Sequence, residues 1–202
     1  MKELVLIGGG GHCKAVIDVV ERTGAWSIVG IIERSGSSLT SVSNYPVIGT
    51  DDDLVAHYKP GRSALVTVGQ IKSSALRRRL FAMAEDAGFE LPVIVSPLAS
   101  VARTALIGAG SVLMHFSHIG PDAVTGRNVI INTRATIEHD VMVGSHCHIA
   151  TGVLVNGAVL VGDDTFIGSG AVCREGISIG SRCVISMGMN VKGDIADDSI
   201  AR

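Results

Sequence analysis

Ile131-Asn132-Thr133-Arg134-Ala135-Thr136-Ile137-Glu138-His139-Asp140-Val141-Met142-Val143-Gly144-Ser145-His146-Cys147-His148 is the stretch that decides the fold. It divides into hexads that open on Ile131, Ile137 and Val143. Working outward, the same phase runs back through Ile119, Leu113, Ile107 and Val101 to Val95, and forward through Ile149, Val155, Val161, Ile167, Ile179 and Ile185 to Val191. Only Thr125 and Cys173 break it. The fifth position is mostly small, as at Ala123, Ala135, Cys147, Ala171 and Cys183. A hexapeptide period whose register never slips is the mark of a parallel β-helix. Each hexad is one short strand and a corner, and three hexads close a triangular coil. Residues one coil apart therefore stack, and the first-position aliphatic side chains fill the interior. At about 4.8 Å between stacked strands the prism is roughly 27 Å long. Each coil buries its core only against its neighbours, and substrates must lie outside the prism.

Upstream of residue 92 the pattern changes. Leu4-Val5-Leu6-Ile7 is a short apolar run that ends in glycines, as a buried parallel strand does. Residues 12–23 follow with Ala15, Val16, Val19 and Val20 at helical spacing, and Gly24 closes that helix. Residues 27–32 and 64–68 read as further strands. Residues 35–46 read as a loop, Thr50 as the cap of a short acidic helix, and 71–87 as a long helix whose Arg77, Arg78 and Arg79 form a solvated face. The expected organisation is an α/β domain over 1–91, a small parallel sheet resembling half a dinucleotide fold, then an all-β parallel β-helix over 92–202.

Composition narrows the function. The chain has 202 residues, 47% of them hydrophobic and 18% charged, with a formal net charge of -2. That balance gives no reason to expect nucleic acid as a partner. No apolar run approaches the ~18 residues of a membrane span, and the first residues are too short and too acidic for a signal peptide. The four cysteines, at 13, 147, 173 and 183, match no disulfide framework, which points to reduced thiols and a cytoplasmic location.

Three groups of residues suggest chemistry. Gly8-Gly9-Gly10-Gly11-His12 follows the first strand, where glycines let a phosphate approach the backbone at a helix N-terminus. The G-x-G-x-x-G fingerprint fits Gly8 and Gly10 but fails at Cys13, while Glu33 ends the second strand where nicotinamide enzymes hold a ribose. About 91 residues are too few for a full dinucleotide fold, so a nucleotide-sugar half-site fits better. His139, at the third position of its hexad, points outward beside Asp140 and suits a general base near pH 7. Gly157 stacks one coil above it. Its N–H is available as an oxyanion donor, although a corner glycine with positive φ is an equal reading. His148 also faces outward. His115, His118 and His146 have no histidine one coil away, so no ladder of metal ligands forms and no metal is expected.

The glycine turn, Asn132-Thr133, Ile137-Glu138-His139-Asp140 and His148-Ile149-Ala150-Thr151-Gly152 together resemble the PglD/NeuD-type sugar acetyltransferases, which are left-handed β-helix, hexapeptide-repeat acyltransferases. The resemblance covers essentially the whole chain. Where that family often ends in a Gly-Val-Pro-Ala-Lys-like tail, this chain has Asp198-Ser199-Ile200-Ala201-Arg202. The resemblance implies acetyl-CoA as cosubstrate, a nucleotide-linked amino sugar as acceptor, a homotrimer with sites between prisms, and a role in surface glycan or glycoprotein biosynthesis. It implies His139 as base with Asp140 orienting it, Asn132 on the sugar or on the catalytic histidine, and His148, Ser169 and Met187 on coenzyme A. By the same resemblance Gly10, Gly11 and His12 hold sugar and pyrophosphate, Glu33 and Arg34 meet base or ribose, and Gly69 with Lys72 closes that site. A sialic acid O-acetyltransferase, a nicotinamide oxidoreductase and a non-catalytic trimerisation scaffold remain as rival readings.

Overall fold

The computed structural model describes residues 1–202. Strand β1 (Lys2–Ile7) lies between β2 (Trp26–Glu33) and β5 (Ser63–Val66), all parallel. β4 (Tyr45–Thr50) extends the sheet in parallel beyond β2, and β3 (Ser41–Val42) closes that edge antiparallel. Residues 45–50, part of which read as loop in the sequence, thus form a strand. Its side chains are only half buried, so the run lacks the apolar block that marks β1. Side chains along β1 alternate between two cores, as a strand's period of two requires. Leu4 and Leu6 face helix α1 (Gly11–Thr23), whereas Val5 and Ile7 face helix α2 (Ala75–Asp86). Helix α2 starts later than the sequence suggests, and residues 71–74 are a non-helical approach to it.

From Ile94 the chain winds as a β-helix. Its strands are two residues long and form three parallel sheets. Pairing is one coil apart throughout most of the prism, as in His118↔Thr136, Thr136↔Leu154 and Leu154↔Val172. The last coil is two residues shorter, since Val184 pairs with Ile200. The first-position residues Leu113, Ile119, Ile131, Ile137, Ile149 and Ile167 are all fully buried in one core. At the N-terminal end, where no coil covers them, Val95 and Val101 are exposed. Corners turn at the fourth position, which has positive φ in coil after coil: Asn128, Arg134, Asp140, His146, Asp164.

Helix α1 is covered on both sides. Its Cys13, Val16 and Val20 share a core with Leu4 and Leu6 of the sheet and with Ile94, Val112, Met114 and Ile130 on one outer face of the prism. This shared core docks the glycine turn, at the start of α1, against the β-helix. No helix is long and apolar enough to cross a membrane.

Candidate active site

His139 sits at a prism corner, with its side chain 62% exposed. Its Nδ1 lies 2.8 Å from Asp140 Oδ2. Asp140 holds the left-handed corner conformation (φ 59), which turns its short side chain back onto the preceding residue. The hydrogen bond to Asp140 raises the imidazole above its usual pKa, and the charges of Asp140, Glu138 and Glu175 add to that. With the Nδ1 proton donated to the carboxylate, Nε2 carries the free lone pair.

Gly157 stands one coil above. A Cβ built there would lie 2.6 Å from both Cε1 and Nε2 of His139. The ring thus fills the space a side chain at 157 would need. The left-handed residue of this corner is Ala158 (φ 57), so the reading of Gly157 as a positive-φ glycine is corrected: it is a glycine of close approach. Its N–H makes no hydrogen bond within the chain. A basic nitrogen and an open backbone donor therefore adjoin.

His148 departs from the sequence picture. It points out of the prism, but the N-terminal domain covers it and leaves it 8% exposed. Its Nδ1 meets the Gln70 carbonyl at 2.7 Å, and its Nε2 meets Asn132 Nδ2 at 3.0 Å. Burial holds its pKa down at about 4. Asn132 is thus bonded to His148 and not to His139. A cavity of about 450 Å³ opens here between Asn132, His148, Gly69, Gln70 and His12. Ser169 and Met187 are exposed on a neighbouring edge of the prism, in the column of Thr133 and Thr151, where Gly188 N–H donates to the Ser169 carbonyl. One prism face separates them from His139, so a single chain does not bring these residues together.

The glycine turn lines a pocket of about 360 Å³ with Gly10, Gly11, His12, Glu33, Arg34 and Gly69. Gly10 and Gly11 face open space, whereas a Cβ on Gly8 would strike the Val68 side chain. Glu33 turns one oxygen back to accept the Gly9 N–H at 2.5 Å, which leaves the other free. Burial, with His148 and Arg77 nearby, drives the His12 pKa to about 3, and its Nε2 has no partner. Lys72 does not line this pocket, because the chain turns away after Gly69. It borders a separate hollow with Ser74, Arg78 and Asp164. No group of three or more His, Cys, Asp or Glu side chains gathers as a metal-ligand set.

Sequence reasoning missed Arg77. It is 1% exposed and not part of a solvated face. The signal was present: Arg77, Leu80, Phe81 and Ala84 share the helical spacing of one buried stripe. Arg78 and Arg79, by contrast, are exposed and pair with Asp164 and Asp51.

Known proteins with this architecture point one way. The family model described as PglD N-terminal domain matches residues 3–84. The model for bacterial transferase hexapeptide (six repeats) matches 122–157, and that for the hexapeptide repeat of succinyl-transferase matches 158–192. No curated protein matches the chain. Among solved structures, the acetyltransferase domain of PglB from Neisseria gonorrhoeae FA1090, in complex with acetyl coenzyme A, is 32% identical with a TM-score of 0.91. The match covers 98% of this chain and 95% of that one. PerB from Caulobacter crescentus, in complex with CoA and GDP-perosamine, is 31% identical with a TM-score of 0.91, covering 99% and 93%. WeeI from Acinetobacter baumannii AYE, 21% identical with a TM-score of 0.88 over 99% and 96%, shares the fold. An N-terminal domain and a hexapeptide prism matched in the same order, over nearly the full length of two acetyltransferases, place this chain in the family of PglD-type sugar acetyltransferases.

Proposed function

We propose that this chain moves the acetyl group of acetyl-CoA onto the primary amine of a nucleotide-linked amino sugar. The observation that carries the reading is the adjacency of His139 Nε2 and the unpartnered Gly157 N–H. A base lone pair and an oxyanion donor on neighbouring coils suit attack by an amine on a thioester. The similar PglB domain, solved with acetyl coenzyme A, and PerB, solved with CoA and GDP-perosamine, support the substrate classes.

In this reading the nucleotide end of the acceptor occupies the glycine-turn pocket. Gly10 and Gly11 leave room for the pyrophosphate, and the free oxygen of Glu33, with Arg34, meets the ribose or base. The N-terminal domain docks on the prism face opposite the His139 corner, so the sugar amine approaches His139 of a neighbouring chain. Its nitrogen attacks the thioester carbonyl carbon while His139 Nε2 takes its proton, and Asp140 steadies the imidazolium that forms. Charge on the carbonyl oxygen builds toward the Gly157 N–H. Collapse breaks the C–S bond and yields an amide and the coenzyme A thiol, with the proton passing from His139 to the leaving sulfur. No covalent acyl-enzyme is involved. Ser169 and Met187 would line the coenzyme groove. Their edge is a face away from His139, which favours a homotrimer in which the edge of one prism meets that of the next.

The test is an acceptor panel with acetyl-CoA: a UDP-linked 4-amino sugar, GDP-perosamine, free sialic acid and CMP-sialic acid, with release of coenzyme A thiol as the readout. The reading requires turnover on a nucleotide amino sugar. Turnover confined to the sialic acids, or none on any acceptor, overturns it.

A further inference from the structure

Arg77 is a buried cation with no carboxylate partner. Its Nη2 donates to the Asn128 carbonyl (2.5 Å) and to Asn128 Oδ1 (2.8 Å). Its Nη1 donates to Gln70 Oε1 (3.1 Å), and its Nε has no partner. A charge in such a place is costly, and an apolar side chain would serve packing alone as well. The hydrogen bonds show what the guanidinium orders instead. Gln70 gives Oε1 to Arg77 and Nε2 to the Asp164 carbonyl, so its amide has one orientation. Its backbone carbonyl then takes the Nδ1 proton of His148. On the far side of the ring, Asn132 Oδ1 accepts the Thr133 N–H, which turns Asn132 Nδ2 toward His148 Nε2. Both neighbours of the imidazole are thereby fixed, and they agree on one proton arrangement: Nδ1 protonated, Nε2 an acceptor.

We propose that Arg77 and Gln70 are positioning residues that lock His148 as a neutral, Nδ1-protonated imidazole whose single Nε2 lone pair accepts from Asn132, which fixes the Asn132 amide at the cavity that coenzyme A would meet. The remaining N–H of Asn132 Nδ2 is then the donor this cavity offers, suited to an amide carbonyl of the pantetheine arm. The positive charge of Arg77 also opposes protonation of both His148 and His12. The consequence for coenzyme A rests on the function proposed above; the tautomer does not.

The test uses the full chain labelled with 15N-histidine, without substrates, with the His148 resonances assigned by their loss in His148→Gln. The wild type is expected to show Nδ1 protonated and Nε2 bare at pH 7. Arg77→Met is expected to mix the two tautomers and to raise KM for acetyl-CoA by about tenfold or more while kcat changes less than about threefold, the pattern of lost uniform binding. Arg77→Lys, which restores the charge but not the fork, recovers part of that loss. Gln70→Leu leaves Arg77 in place and is expected to give the same change in His148, a second route if Arg77→Met fails to fold. An Nε2-protonated His148 in the wild type overturns the proposal. So does an unchanged tautomer with unchanged KM in whichever variants fold.

Discussion

The ring of His139 occupies the space that a side chain at Gly157 would fill, with Cε1 and Nε2 each 2.6 Å from the Cβ position. The relationship joins sequence spacing to chemistry. A hexapeptide period stacks residues one coil apart, the stacking lays an imidazole under a glycine, and the absent side chain leaves a backbone N–H open beside a base.

Gly157→Ala tests that contact. Gly157 lies outside the left-handed region, so alanine brings no backbone strain, but its methyl must displace the His139 ring. We expect a fall in kcat of about 10²-fold, the scale of a misplaced reacting group, with the melting temperature little changed. Wild-type turnover in a folded variant would show that the adjacency carries no function.

Asp140→Asn separates orientation from charge. Asparagine tolerates the left-handed corner, so the backbone survives. The base works when neutral, so kcat/KM rises with pH through the His139 pKa, and Asp140 sets that pKa above the usual histidine value. Removing the carboxylate lowers it, so the acidic limb of the pH–rate profile should move to lower pH while the maximal rate falls. A limb that stays in place would mean that another group titrates.

Gly10→Ala probes the phosphate approach. A methyl there meets nothing in the protein, so folding should be unaffected. Gly10 lines the glycine-turn pocket, and calorimetric titration should show weaker binding of UDP or GDP by about tenfold, on the order of 1.4 kcal/mol. Unchanged affinity for both nucleotides would remove the turn from the binding site.

The thiols should be silent. All four cysteines are buried, and burial pushes Cys147 and Cys173 up to about 12. Only a thiolate reacts with a disulfide reagent. The folded chain should show almost no titratable thiol until denaturant is added, and prompt reaction at Cys147 or Cys173 would contradict this burial.

The β-helix was legible in the sequence because its core is written at fixed intervals. Ile131, Ile137 and Ile149 each occupy the one inward position of a hexad, so periodicity alone assigns them. The stacking of Gly157 on His139 follows from the same period. What the period cannot show is how two domains meet. His148 reads as outward from its hexad position, and it does point out of the prism, but it is covered by Gln70, a residue with no local signal at all. Arg77 was hidden by its neighbours Arg78 and Arg79: three arginines in a row suggest solvent, and only the helical spacing to Leu80, Phe81 and Ala84 separates the first from the others. Lys72 fell outside the expected pocket because the path of residues 70–74 is set by docking against Asp164 and not by any pattern within the segment.

The most direct test of the central claim is the steady-state turnover of His139→Ala with acetyl-CoA and the best acceptor of the panel, alongside circular dichroism and light scattering. The account predicts a fall of about 10²–10⁴-fold in kcat with fold and assembly intact, the scale of a lost general base. Turnover within about threefold of wild type would contradict it, since changes that small lie far below what a general base contributes.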